Sequence, residues 1–134
     1  MKSDIRIKDD IYKFIRGTAL PNAVTGEICK TGVRPKGSDK EDIVISVIAN
    51  MNGQIQEAVV NVNIYVADDI KSDGQNQEAT IRLRELATIA SEVLEVGGGD
   101  DFRFTLESQR VLASEETREH VINNRINYQN NNEK

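Results

Sequence analysis

The chain has 134 residues, 38% hydrophobic and 29% charged, which is the balance of a globular protein the size of one domain. Its net charge of −5 argues against extended binding to nucleic acid, and the single cysteine, Cys29, excludes an intrachain disulfide. No apolar run approaches the ~18 residues of a membrane span, and the charged N-terminus does not fit a signal peptide. We expect one domain over 1–134, ordered from about 5 to 129 and frayed at 130–134.

Three short elements are predicted in the first third of the chain. Isoleucine and phenylalanine recur at helical spacing around Asp9–Arg16, and Gly17 is well placed to end that helix. A short strand is predicted over about Gly26–Thr31. Gly32–Asp42 follows as a loop that is rich in charge, contains proline and glycine, and lacks apolar anchors.

The centre of the chain predicts a β-hairpin. Ile43–Ala49 and Gln56–Ala67 are rich in β-branched residues, and apolar and polar side chains alternate in the second segment. An Asn-Gly pair at positions 52 and 53 favours a two-residue turn. That turn would place Ile45 opposite Val60 and give the hairpin one fully apolar face.

The second face of this hairpin is half apolar, and its role stays open at the level of sequence. Its apolar members are Val44, Ile48, Val59 and Tyr65, and its polar members include Ser46, Glu57, Asn61 and Asn63. Either a second layer of the same chain covers this face, or it is a subunit interface. In the second case the four apolar residues are the candidate interface residues.

The remaining elements complete an α+β pattern. A loop over Asp68–Gln77 leads to a long helix over about Glu78–Val96, which the glycines at 97–99 would end. Strands are predicted over Phe102–Leu112 and His120–Gln129. We therefore predict a single antiparallel or mixed β-sheet with the long helix and the short N-terminal helix on one face. The stripe of Leu83, Leu86 and Ala90 should cover Val60.

A search for chemical motifs predicts neither a catalytic residue nor a metal or cofactor site, and hence a protein that is not an enzyme. His120 has no companion motif, and Cys29 has no CxxC partner. The glycines at 97–99 follow a helix and lack the Lys-Ser/Thr of a phosphate-binding loop. The loop Asp69–Gly74 has lysine at the third calcium-ligand position and threonine, Thr80, at the twelfth. Assembly is therefore favoured over catalysis.

Five segments carry a resemblance that covers about residues 5–129: Asp9–Ile15, Arg34-Pro35, Glu41–Val47, Gln56–Val66 and Asn124–Tyr128. In their order and pattern they resemble the small tail-completion, or tail-terminator, proteins of long-tailed bacteriophages and prophages. The resemblance implies a mixed sheet with helices on one side, no catalytic residues, and a ring, usually hexameric, that caps the tail tube and joins it to the head.

Two functions are therefore expected as alternatives. The first is a virion structural protein that acts as a tail-terminator ring subunit at the head–tail junction. It would bind its own copies, tail-tube protein and head–tail connector proteins, but neither membrane nor specific nucleic acid, and would be found in the virion and in the host cytoplasm during assembly. The second is a small ligand-binding or enzymatic α+β domain with a pocket between helix and sheet. Neighbouring capsid, portal and tail-tube genes would favour the first.

Overall fold

The computed structural model describes residues 1–114 and 116–131. The helices in this part of the chain are α1 (Asp4–Arg16), α2 (Leu20–Ala23) and α3 (Thr80–Leu94). The strands are β1 (Ile28–Cys29), β2 (Ile43–Met51), β3 (Ile55–Ala67), β4 (Asp69–Ile70), β5 (Asn76–Gln77), β6 (Val96–Gly98), β7 (Phe102–Ser114) and β8 (Glu119–Asn131).

Six of the strands form one mixed sheet in the order β1-β2-β3-β8-β7-β6. The pair β1–β2 is parallel and the other four pairs are antiparallel. The strands β4 and β5 form a separate two-stranded ribbon within the second predicted loop. Buried residues of both α1 and α3 share one core cluster with the sheet, which confirms the α+β prediction of a mixed sheet with the helices on one face.

Both long helices differ from their predicted bounds for local reasons. Helix α1 begins at Asp4 because Ser3 caps it, its Oγ accepting from the Arg6 N–H at 3.3 Å. Its buried stripe is Ile7, Ile11 and Ile15. Helix α3 is shorter than predicted at each end; at its C-terminal end only Glu95 separates it from β6. Gly97 and Gly98, expected to end the helix or form a hairpin loop, are part of strand β6.

The predicted register of the central hairpin is wrong by two residues before the β-bulge at Ile48 and by three after it. Ile45 lies opposite Val62, and the Asn-Gly pair does not form a two-residue turn, since the last pair is Met51 with Glu57. Side-chain hydrogen bonds accompany this longer connection: the buried Gln56 amide donates to the Lys2 carbonyl at 2.8 Å and to Asn50 Oδ1 at 2.6 Å. For Ile43–Val47 a shift of two keeps the predicted faces, because side chains alternate with period two. Beyond the bulge at Ile48 the shift is three, so Ala49 and Met51 lie on the half-apolar face.

The core lies between the helices and the face of the sheet that carries Val60, Val62 and Ile64, all fully buried. Helix α3 packs mainly against β7 and β8, and α1 packs against β2. Val60, expected beneath Leu83, Leu86 and Ala90, is buried with them in one core, to which the isoleucines of α1 also belong.

The last strand has the predicted inward face and runs further than predicted. Ile122, Ile126 and Tyr128 are fully buried. Strand β8 continues through Asn131, and Asn130 is 7% exposed, so these two positions are paired strand where a frayed end was expected. Residues 132–134 of the expected frayed end lie outside the described residues.

Candidate functional site

The candidate site is the side of the six-stranded sheet that faces away from the helices, here called the outer face. On β3 it comprises the odd-numbered residues from Ile55 to Ala67, and their strand partners extend it across the sheet. One row of neighbours across its middle is Ala49, Val59, Asn127, Thr105 and Val96. The half-apolar face predicted from the hairpin is therefore part of a face that spans the whole sheet.

One end of the outer face is covered by the chain's own first loop. The Arg34 guanidinium lies 4.2 Å above the centre of the Tyr65 ring. It also donates to both carboxylate oxygens of Glu119, at 2.8 and 2.9 Å, and to Asp42 Oδ2 at 2.9 Å. Val44 is only 7% exposed at this end. The loop does have an anchor, which sequence reasoning missed because the anchor is an ion pair instead of an apolar side chain.

Two buried carboxylates share one guanidinium in this cluster. Burial alone would raise the pKa of Asp42, but hydrogen bonds from the Ser38 hydroxyl, from Arg34 and from the Glu27 N–H lower it below its usual value. The Arg34 pKa is raised, chiefly by its hydrogen bond to Glu119. Asp42 and Glu119 are 1% and 3% exposed, so this cluster holds the fold together and presents no open ligand position.

The other end of the outer face is not covered by the described chain. Met51 and Ile55 are each 54% exposed there, and Ile48, the extra residue of a β-bulge in β2, is 55% exposed. Val59 is half-buried. The structure thus separates the four candidate interface residues: Val44 and Tyr65 lie at the covered end, and Ile48 and Val59 lie at the open end.

The outer face also carries exposed positive charge. Arg103, Arg110 and Arg125 are exposed and project from β7 and β8 on this face. None of the three has a carboxylate within ion-pair distance among residues 1–114 and 116–131. The outer face thus presents three exposed arginines in a chain of net charge −5.

His120 has carboxylate neighbours that the sequence did not reveal. Its Nδ1 lies 2.5 Å from Asp68 Oδ1, and its Nε2 lies 3.9 Å from Glu78 Oε2, two residues before α3. Both ring nitrogens therefore face acids, which fixes the ring orientation. Sequence reasoning could not find this contact, because Asp68 and His120 are 52 positions apart.

Cys29 and the Asp69–Gly74 loop, the other features considered in the motif search, are part of the fold and do not form an open site. Cys29 is 6% exposed, and burial raises the pKa of its thiol. The loop Asp69–Gly74 contains β4 and the turn that leads to β5, and the Lys71 N–H donates to the Gln75 carbonyl at 2.8 Å. Within the described ranges, no three His, Cys, Asp or Glu residues are grouped so as to hold a metal ion.

None of the helices described has the length and apolar character needed to cross a membrane. Comparisons of the chain with protein families, with curated proteins and with solved structures found no match. The structure is thus an α+β fold whose sheet is covered by helices on one side and only in part on the other.

Proposed function

We propose that this chain is the subunit of a structural ring that caps a phage or prophage tail tube, as a tail terminator at the head–tail junction. The observation that carries the proposal is the open end of the outer face. There the subunit exposes Ile48, Met51 and Ile55 by more than half, beside the half-buried Val59. Clustered exposed apolar side chains on a well-packed subunit are typical of an interaction site.

The energetics of association favour an interface that buries several of these apolar residues together over a contact through only one of them. Full burial of one such side chain contributes roughly 1.5–3 kcal/mol. Association of two proteins costs about 4–15 kcal/mol in lost translational and rotational freedom. Several of these residues must therefore be buried together before a complex is stable. This agrees with the expectation that such a subunit is monomeric when dilute and assembles at high concentration or on its tail tube.

The resemblance in element order supports the specific assignment to a tail terminator. Tail-terminator rings need a head-to-tail contact between identical subunits, in which two different surfaces of the chain meet. A sheet with one covered and one open side provides two unlike surfaces. Tail-tube and connector proteins are the further partners that this proposal names.

The alternative, a ligand-binding or enzymatic domain, would place a pocket between helix and sheet. That layer is filled in this fold: Leu86, Ala90 and Leu94 of α3 are fully buried in the same cluster as Ile126. A ligand there would have to displace core side chains, so the packing lends the alternative less support than the ring proposal.

The test is co-sedimentation of the purified protein with tail tubes from the phage or prophage that encodes it. We expect the wild-type protein to sediment with the tubes, and Ile48→Asp to stay in the supernatant while keeping its circular dichroism spectrum. Ile81→Asp is the matched control, since Ile81 is 78% exposed but lies on α3, on the other side of the sheet. Folded wild-type protein that never joins the tubes would reject the proposal.

A further inference from the structure

Both edges of the six-stranded sheet are left largely unpaired. Strand β6 pairs only with residues 103–105 of β7, and the Leu106 N–H then donates to the Glu95 carbonyl at 3.0 Å. Beyond that point, residues 107–114 of β7 have no main-chain partner on the side away from β8 in the described part of the chain. This is a long free edge for a strand that is otherwise fully paired.

The opposite edge has the same property. Strand β1 pairs only with Ile43 and Val44, so residues 45–51 of β2 have no strand on the side away from β3 among the residues described. Natural edge strands are usually guarded by charges, prolines or bulges. Strand β2 has a bulge, but residues 45–51 contain neither a charged residue nor a proline.

Exposed apolar side chains accompany both free edges. Ile48 and Met51 on β2 are 55% and 54% exposed, and Val111 and Leu112 on β7 are 43% and 41% exposed. Val111 lies opposite Ile122 on the helix side, and Leu112 lies opposite Val121 on the outer face. The free part of β7 thus exposes apolar groups on both of its faces, as a strand does when a neighbour is missing.

We propose that the free edge of β7 in one subunit pairs with the free edge of β2 in the next copy of this chain. The proposal rests on the ring proposed above and names its subunit contact. Polarity permits it: each pair from β2 through β3 and β8 to β7 is antiparallel, so β7 runs opposite to β2. The β2 of an equally oriented neighbour would therefore extend the sheet as one more antiparallel strand.

The two edges also match in extent. The free segments are residues 107–114 and 45–51, and a ring that closes through this contact leaves neither edge open. A two-fold pairing of β7 with β7 would leave both β2 edges unpaired. Head-to-tail contacts are also the kind that generate rings.

Disulfide trapping tests the contact directly. Leu112→Cys is combined with Ser46→Cys or with Ala49→Cys, since all three positions lie on the outer face. The protein is oxidised at high concentration, with and without tail tubes. We expect at least one double variant to give a ladder of covalent dimers, trimers and larger species on a denaturing gel. The single variants and the wild type, whose buried Cys29 serves as control, should remain monomers.

Two further experiments complete the test: a cysteine pair on opposite faces of the sheet as a control, and amide exchange of the wild-type protein. Val111→Cys with Ser46→Cys should not form a ladder, because Val111 lies on the helix side of the sheet. In the wild-type protein, assembly should slow amide exchange at both 45–51 and 107–114. This second readout does not depend on how the cysteine variants fold.

The outcomes separate this proposal from the ring proposal. Assembly on tubes without any ladder and without added protection at either edge overturns the edge contact alone. Covalent dimers from Leu112→Cys by itself also overturn it, because they report two-fold β7 pairing. A ladder in a protein that ignores tail tubes supports the edge contact and rejects the tail assignment.

Discussion

Arg34 and Glu119 are 85 positions apart in the chain, yet two guanidinium nitrogens of Arg34 contact the two carboxylate oxygens of Glu119 at 2.8 and 2.9 Å. This paired geometry joins the first loop to the beginning of β8. It also places the guanidinium over Tyr65, so one ion pair closes an entire end of the outer face. The boundary between the covered and the open end therefore depends on Arg34.

Replacing Arg34 by methionine should strongly destabilise the fold. Methionine fills a similar volume but leaves the carboxylates of Asp42 and Glu119 buried without their partner, which typically costs about 3–5 kcal/mol. Chemical denaturation measures the free energy of unfolding. Arg84→Met is the matched control, since Arg84 is an exposed helix arginine that has no ion pair within the described residues, and should change stability by less than about 0.5 kcal/mol. Equal effects would contradict this role of Arg34.

The same cluster predicts a loss of stability in acid. The pKa of Asp42 is lower in the folded protein than in the unfolded chain, where an aspartate has a pKa of about 3.9. Its stabilising contribution is therefore complete above about pH 4 and disappears as the pH falls through the lower, folded pKa. Between pH 5 and pH 2, Asp42→Asn should lose less stability than the wild type. Parallel acid profiles for the two proteins would show that Asp42 does not contribute.

Adjacent valines on β3 test the assignment of the two faces. Val60 is fully buried beneath the helices, and Val59 lies half-buried on the outer face, opposite Ala49. Val60→Asp would bury an unpaired carboxylate and should cost several kcal/mol, a large part of the ~5–15 kcal/mol that stabilises a domain. Val59→Asp should cost about 1 kcal/mol or less in the isolated subunit.

Thermal unfolding followed by circular dichroism compares the two variants. We expect Val59→Asp to melt close to the wild type but to lose assembly, and Val60→Asp to unfold or fail to express. Similar losses in melting temperature would mean that the chain itself covers Val59. A smaller loss of melting temperature for Val60→Asp than for Val59→Asp would mean that the two faces have been assigned the wrong way round.

Gly97 should tolerate no side chain. A Cβ atom there would lie 2.5 Å from the Cζ atoms of Phe14 and Phe104, whose rings make an edge-to-face contact. Gly97→Ala must push these rings apart, and overpacking of this kind costs about 1–3 kcal/mol. Gly17→Ala is the control, because the nearest neighbour of its Cβ would lie at an ordinary 3.6 Å. Equal melting temperatures for the two variants would contradict the close packing at Gly97.

Periodicity was sufficient to predict much of this fold. Alternation in β3 and the apolar spacings of both long helices identified the core, because side-chain direction follows from local backbone geometry. The predicted face of Val60 is correct although the predicted hairpin register is wrong. The register is shifted by two at this position, and an even shift moves no side chain to the other side of the sheet.

The features that the sequence did not predict depend on distant pairs. Nothing near Arg34 indicates that Glu119 will meet it, so the covered end of the outer face could not be distinguished from the open end. The Asn-Gly pair favoured a tight turn, but the buried hydrogen bonds of Gln56 with Lys2 and Asn50 accompany a longer connection. Glycines at 97 and 98 predict a helix stop or a hairpin loop, because a strand made of glycines has no alternating side chains to indicate it.

The ring account is tested most directly by electron microscopy of tail tubes incubated with saturating, folded protein. The account predicts a ring of added density at one end of each tube, absent when Ile48→Asp replaces the wild-type protein. Tube ends that remain bare, while the protein is folded and in excess, would contradict it.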